Sequence, residues 1–348
     1  METSSATPPA ASLQAARMGG LTETNWRRLG ILVVLGAAII FPFFAASFTI
    51  FQFTLAYIFC IAVLGLNLLV GFNGQFSLGH GAFYAIGAYT SAIMIDHFGI
   101  AYGWTIPAAG VVTLIVGFLF GIPCLRIHGI FLALATLALA LAMPQILKYD
   151  AFEEWTGGVQ GIILDKPEAP LGLPLNADQW LYFLTLFVLV IVFATAWNLL
   201  RGRTGRAIRA VRDHHIAAES MGINTALYKS LTFGVSAGYT GIAGALSAIV
   251  VQFVAPDSFV LFLSIYLLVG VVVGGLASIP GAIFGGFFIQ YIPNFADAIF
   301  QSAPWAIFGF FLIGFMLAMP AGIAGLFRYL WFRTKLAWAT APENPATR

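Results

Sequence analysis

The chain has 348 residues, of which 60% are hydrophobic and only 9% charged, with a mean hydropathy of +0.92 and a formal net charge of +2. Those values exclude a soluble globular domain and describe an integral membrane protein. The basic residues act as an orientation signal rather than a nucleic-acid site, and the isolated Cys60 and Cys124 lack metal-ligand spacing and read as buried structural thiols.

Residues 1–25 are rich in Ala, Ser, Thr and Pro without apolar periodicity, which predicts a disordered cytoplasmic tail. A run of 67 uncharged residues, Leu29 to Ile95, follows. A spanning helix needs roughly 20 apolar residues, so this run holds three spans, broken at Pro42 to Ser47 and at the Gly-rich stretch Gly71 to Gly81. A signal peptide is the competing reading of Arg27-Arg28 followed by Leu29 to Ile40, with Ala45 to Ser47 as a cleavage-like site. Against it, the basic pair sits late in the chain, and cleavage would change the odd–even count of spans.

Within Leu64 to Ala88, six glycines accompany Asn67, Asn73, Gln75, Ser77 and His80 at membrane depth. Two readings compete: tight helix packing with locally satisfied amides, and a broken helix lining a solute path. On the second reading these five polar residues are the candidates for the path; His80, flanked by glycines, reads as a hydrogen-bonding structural histidine rather than a proton relay.

The windows His97 to Leu125 and Ile127 to Leu147 predict one span each. The segment 148–179 is a long extracytoplasmic loop with GGVQG and several prolines, in which Glu153, Glu154, Trp155, Gln160 and Asp165 offer polar recognition. It is either an ordinary solvated loop or a docking surface for an extracytoplasmic partner. Gln179 to Leu200 predicts the next span.

The loop 201–229 is the most basic stretch between spans. Arg203, Arg206, Arg209 and Arg212 recur every three residues and cover one flank of a helix, leaving Ala207, Ile208 and Val211 on the other. A short helix follows over Ile216 to Met221, with Glu219 in it and Gly222 as its terminating glycine. Attachment to anionic headgroups accounts for part of the arginine stripe. The second helix, with its apolar face projecting from the membrane, suits docking into a groove on a partner protein.

Ser230 to Pro256 predicts one span, the 39 uncharged residues between Asp257 and Asp297 two, and Ala298 to Phe327 one. In Val269 to Phe288, Gly270 with Gly274 and Gly281 with Gly285 form two GxxxG pairs that favour close helix crossing, and Pro280 breaks the span. SIPGAIF here is loosely similar to SLGHGAF of the first Gly-rich segment.

The expected fold is therefore all-α: a polytopic membrane protein of about ten transmembrane helices, with eight as the alternative, some of them discontinuous. Residues 26–330 form the membrane domain and 331–348 a C-terminal cytoplasmic tail. With both termini inside, 14 of the 16 basic residues fall inside: Arg17, Arg27, Arg28, Arg126, the five arginines of Arg201 to Arg212, Lys229, Arg328, Arg333, Lys335 and Arg348. Only Lys148 and Lys166 fall outside, where nine of the 14 acids lie.

No GxxxxGK(S/T) occurs, because none of the four lysines follows a glycine, so any ATP is hydrolysed by a partner. Neither an intramembrane nucleophile–base pair nor a metal set such as HExxH is present. The uncharged windows lack the fixed Asp, Glu or Lys that ion-coupled carriers use. They fit a conduit for a neutral or zwitterionic solute, driven mechanically from the cytoplasmic loop.

LNLLVGFNGQFSLGHGAFYAIGAY, GRAIRAVRDHHIAAESMGINTALYKSLTFGVSA and VGGLASIPGAIFGG resemble the LivM-type permeases of branched-chain amino acid ABC importers, over about Asn25 to Leu330. The resemblance implies a coupling helix within Arg203 to Tyr228. It places Ile216, Ala217, Ala218, Glu219 and Gly222, with Arg206, Arg209 and Arg212, at the ATPase contact. IAAESMG departs from the EAA-then-glycine pattern of ABC permeases in general. The same resemblance implies a bacterial inner-membrane location and four kinds of neighbour: a LivH-like second permease, two ABC ATPase subunits that bind ATP and Mg, a periplasmic solute-binding protein, and membrane lipid. No cofactor is expected on this chain. The alternative is a stand-alone secondary carrier or channel for a small polar solute such as urea or an amide.

Overall fold

A computed structural model describes residues 30, 32–125, 127, 129–169, 174–299, 304–319, 321–326 and 329. The tails 1–25 and 331–348, and with them Arg17, Arg27, Arg28, Arg333, Lys335 and Arg348, lie outside the described residues, as do Arg126 and Arg328. Two compact units are formed by Met1–Ile50 and Phe51–Arg348. In the first, α1 (Leu32–Phe43) closes in a tight turn at Phe41–Phe43 around Pro42, at the expected break.

The second unit is nearly all helix. Its elements are α2 (Ser47–Asn67, from Phe51 onward), α3 (His80–Asp96), α4 (Tyr102–Cys124), α5 (Ile130–Leu147), α6 (Asp150–Thr156), β1 (Ile162–Ile163) and α7 (Ala177–Arg201). They continue with α8 (Arg203–Asp213), α9 (His215–Ser220), α10 (Thr225–Val251), β2 (Phe253–Val254), α11 (Leu261–Gly274), α12 (Ile279–Ile299) and α13 (Pro304–Ala318). Seven described helical segments are long and apolar enough to cross a membrane: Ser47–Phe72, Tyr102–Cys124, Ile130–Leu147, Ala177–Arg201, Thr225–Val251, Pro256–Gly274 and Gly309–Leu326. Many large apolar side chains, such as Val111, Ile115, Leu119, Phe131 and Phe187, are exposed on them, a surface that only hydrocarbon can solvate without penalty. The chain is thus an all-α polytopic membrane protein.

Contacts within this unit sort its loops into two ends. At one end Lys148 Nζ meets Asp257 Oδ1 at 2.5 Å, Trp180 Nε1 donates to Tyr102 Oη at 2.9 Å, and β1 pairs antiparallel with β2, Ile162 opposite Val254. At the other, Arg212 reaches Gly71 and Asn67 reaches Ser278. The first end carries acids and the second the arginine stripe.

Two details differ from the sequence expectation. The segment 148–179 is not a plain loop: Asp150 and Glu153 favour the N-terminal turn of α6, Gly157 ends it at φ +70°, and β1 then adds to β2. Pro280 does not break a span either. It occupies the first turn of α12, where its missing N–H costs nothing, and the interruption is the preceding Gly275 to Ser278.

The core is organised by α10, whose Gly234, Gly238, Gly241 and Gly244 let it press against α4 and α3. A Cβ on Gly87 would collide with the Gly241 backbone, and one on Gly244 with the Tyr84 carbonyl. Without a water-driven hydrophobic effect between helices in lipid, this backbone-to-backbone approach supplies the dispersion contact that holds them together.

Candidate functional site

The first Gly-rich stretch leaves the helix. After Asn67, α2 widens into a π turn over Leu68–Phe72, and residues 74–79 are non-helical before α3 begins at His80. Asn73, Gln75 and Ser77 are turned inward, whereas Gly74 and Phe76 are exposed, the alternation of an extended chain.

Backbone freed inside a membrane protein must find partners, and here other elements supply them. Thr136 Oγ1 of α5 accepts from Leu78 N at 2.9 Å, Ser77 Oγ from Gly79 N at 3.3 Å, and Ser264 Oγ of α11 from Gly81 N at 2.8 Å. His80, fully buried, joins the same network. Ser236 donates its hydroxyl proton to the Gly65 carbonyl at 2.5 Å, so His80 Nε2, at 2.7 Å from Ser236 Oγ, is the donor of that pair. Nδ1 then accepts from Ser77 Oγ at 3.0 Å. The ring therefore bridges α2, α3 and α10 as a hydrogen-bonded strut.

Asn67 is committed in another direction. Its Nδ2 donates to Ser278 O at 2.9 Å and Gly275 O at 3.4 Å, and its Oδ1 accepts from Ala277 N at 3.0 Å. It thereby holds the second break, where Ala277 has φ +56° and Gly275 φ +114°. Asn73 and Gln75 differ from the other three predicted path residues. Both amide atoms of Asn73 and Oε1 of Gln75 are buried with no protein partner.

The four glycines of the second segment meet across α11 and α12. Added Cβ atoms on Gly274 and Gly285 would strike the carbonyls of Gly281 and Gly270, respectively.

The arginine stripe lies on α8 with its flanks as the periodicity requires: Ala207, Ile208 and Val211 are buried and the four arginines exposed. Ile208 packs with Leu68 and Phe72 of the π turn and Leu200 of α7. The arginines also bind backbone, which spacing alone does not disclose. Arg209 donates to Leu200 O and Gly205 O, each at 3.2 Å, so it caps the carbonyl end of α7. Arg212 donates to Gly71 O at 3.0 Å.

Helix α9 follows α8 and is exposed at every residue but Ala218. His214 accepts from Ala217 N at 3.2 Å and caps its start. At its end Ile223 N bonds Ala218 O at 3.0 Å and Gly222 N bonds Glu219 O at 2.9 Å, with Gly222 at φ +80°, the geometry of a Schellman stop. Ile216 on this six-residue helix and Met221 at its C-cap are 62% and 83% exposed. Ala217 and Glu219 share that exposed surface, while Ala218 is buried toward the protein. Among the described residues no cluster of His, Cys, Asp and Glu could hold a metal ion.

Broken helices with internally capped ends, set in a bundle with an apolar exposed surface and an exposed cationic helix pair, define the class: a polytopic α-helical membrane protein with discontinuous spans. The profile described as "Branched-chain amino acid transport system / permease component" matches residues 48–320, and the chain belongs to that family. It is 33% identical over 279 residues to the high-affinity branched-chain amino acid transport system permease protein LivM of Escherichia coli (strain K12), covering 74% of this chain and 65% of LivM. The chain thus spans about 65% of the length of the LivM relatives it matches. LivH of the same organism is 26% identical over 287 residues, 78% of this chain and 92% of LivH. LsrC, the autoinducer 2 import system permease protein of Salmonella paratyphi B, is 27% identical over 233 residues, 62% of this chain and 63% of LsrC. No solved structure matches the chain.

Proposed function

We propose that the chain is a transmembrane permease subunit of an ATP-driven ABC importer in a bacterial inner membrane. It moves a small neutral or zwitterionic solute, and the names of its LivM and LivH relatives favour a branched-chain amino acid. In this reading the seven uncharged windows hold ten crossings, both termini are cytoplasmic, the arginine-bearing end faces the cytoplasm and the acidic end the periplasm, as the positive-inside rule requires. A LivH-like permease completes the path. Two ATPase subunits bind ATP and Mg and do the hydrolysis, and a periplasmic binding protein delivers the solute to the acidic end.

The observation that carries the proposal is the α8–α9 hook. Its inner face is anchored to the π turn through Ile208, and its tip presents Ile216, Ala217, Glu219 and Met221, all exposed among the described residues. A short helix with exposed apolar side chains, standing off an arginine-flanked base, suits insertion into a groove of a cytoplasmic ATPase. The path in this reading runs along Asn67, Asn73, Gln75, Ser77 and His80, with the Asn73 amide and the Gln75 Oε1 the groups left available to a solute.

The test is uptake of radiolabelled leucine by the complete importer in proteoliposomes. Glu219→Arg reverses the charge on the exposed face of α9, and Gly222→Trp places a bulky side chain at its stop. Both abolish uptake and solute-stimulated ATP hydrolysis while membrane insertion is retained. Normal coupling in both variants contradicts the docking role, and gradient-driven uptake by the purified chain alone supports a stand-alone carrier instead.

A further inference from the structure

The hook and the first helix break are joined by one side chain. Arg212, in the last turn of α8, directs Nη1 at the Gly71 carbonyl at 3.0 Å, and its Nε and Nη2 are held by Asp213 Oδ1 at 2.9 and 2.8 Å. The fork is thereby fixed in orientation: two nitrogens are engaged by the carboxylate and the third is left to face the break. The stem lies over Gly74, where an added Cβ would stand 2.8 Å from Arg212 Cγ, and Gly74 has φ +74°. The two glycines that Arg212 touches, Gly71 and Gly74, bracket Asn73, and Gly74 adjoins Gln75; both amide atoms of Asn73 and Oε1 of Gln75 are buried without a protein partner. A buried polar atom left unpaired costs about 1–3 kcal/mol, so the inward orientation of these two amides needs an external restraint, and Arg212 is the polar contact that reaches this stretch from α8.

We propose that Arg212 is a positioning residue that latches the α2 break to the cytoplasmic hook, holding Asn73 and Gln75 turned into the protein until displacement of α8 withdraws the guanidinium from the Gly71 carbonyl. Ile208, packed on Leu68 and Phe72, is the apolar half of the same joint, so a tilt of α8 moves both contacts together. Gly74 is the residue about which the freed segment turns, because its left-handed backbone and missing Cβ let residues 73–77 roll without striking the arginine stem. The proposal rests on reading the break as part of the solute path and adds to it the contact by which the hook controls that path.

The test is thiol accessibility in the full chain in native membranes, with N-ethylmaleimide as the probe and without ATPase or solute. Gln75→Cys provides the reporter, and the buried Cys60 serves as an internal control for global unfolding. With Arg212 present, the thiol at position 75 alkylates slowly. Adding Arg212→Ala raises the rate about tenfold, the size of effect one lost charge-assisted hydrogen bond produces, while Cys60 stays unreactive. Arg212→Gln, which keeps methylenes over Gly74 but is too short to reach the Gly71 carbonyl, raises it as well and decides the matter if Arg212→Ala disturbs the fold. Unchanged alkylation in the folded variants overturns the latch. So does reactivity of Cys60 in both, because Arg212 would then hold the whole fold and not the break. Since no transport is measured, the latch can fail here while coupling through α9 stands, and the reverse.

Discussion

The two Gly-rich breaks are built from similar pieces and solved differently. Each interrupts a pair of helices, each places a serine just ahead of the following helix, and in each that serine accepts from a glycine N–H: Gly79 to Ser77 at 3.3 Å, Gly281 to Ser278 at 3.2 Å. At the second break Asn67 satisfies two carbonyls and an N–H, and glycines on α11 and α12 close backbone to backbone. At the first break the backbone is equally well capped, but both amide atoms of Asn73 and Oε1 of Gln75 are unpaired, and Arg212 of α8 reaches across to the Gly71 carbonyl. The difference separates a structural joint from a loaded one. Polar residues at membrane depth are not equivalent, and what distinguishes them is whether the protein itself uses up their hydrogen-bonding capacity.

The contrast makes opposite predictions for two asparagines and one for a glycine. The largest effect belongs to Asn67→Ala, which orphans two buried carbonyls and one N–H at the second break. Unfolding of the purified chain in a denaturant titration in micelles is expected to lose about 3 kcal/mol or more. Gly274→Ala puts a methyl group against the Gly281 carbonyl and should cost about 1–3 kcal/mol in the same titration, the range for overpacking a rigid contact. The smallest change in stability, and the one of opposite sign, is expected for Asn73→Leu. Removing an amide that has no partner leaves the unfolding free energy unchanged or raised by roughly 1 kcal/mol, while leucine uptake by the complete importer is lost.

Most of the helical layout was legible because charge is so costly in lipid that uncharged windows outline the helices directly. Each window of the chain contains a helix among the described residues, although only seven segments have both the length and the apolarity to cross unaided. The hook was readable for a local reason: the three-residue recurrence of arginine and the stop at Gly222 are contained within one stretch of sequence. What sequence could not supply was partnership at long range. Asn67 and Asn73 look alike in sequence, and only the fold, which brings Ala277 to one and nothing to the other, tells them apart. The caps Thr136, Ser236 and Ser264 were invisible as single hydroxyl residues inside apolar runs. The GxxxGxxGxxG of Gly234, Gly238, Gly241 and Gly244 did carry a signal, the spacing of a helix seam, and it marks the helix around which α3 and α4 pack. In the loop 148–179, prolines and glycines suggested irregular chain, whereas the pairing of Ile162 with Val254 depends on a residue in a distant segment.

The most direct test is a paired reading on Asn73→Leu: the unfolding free energy of the chain and the rate of leucine uptake by the importer that contains it. Uptake is expected to collapse while stability holds or rises. Uptake at the unsubstituted rate, or a loss of stability as large as that of Asn67→Ala, would contradict it.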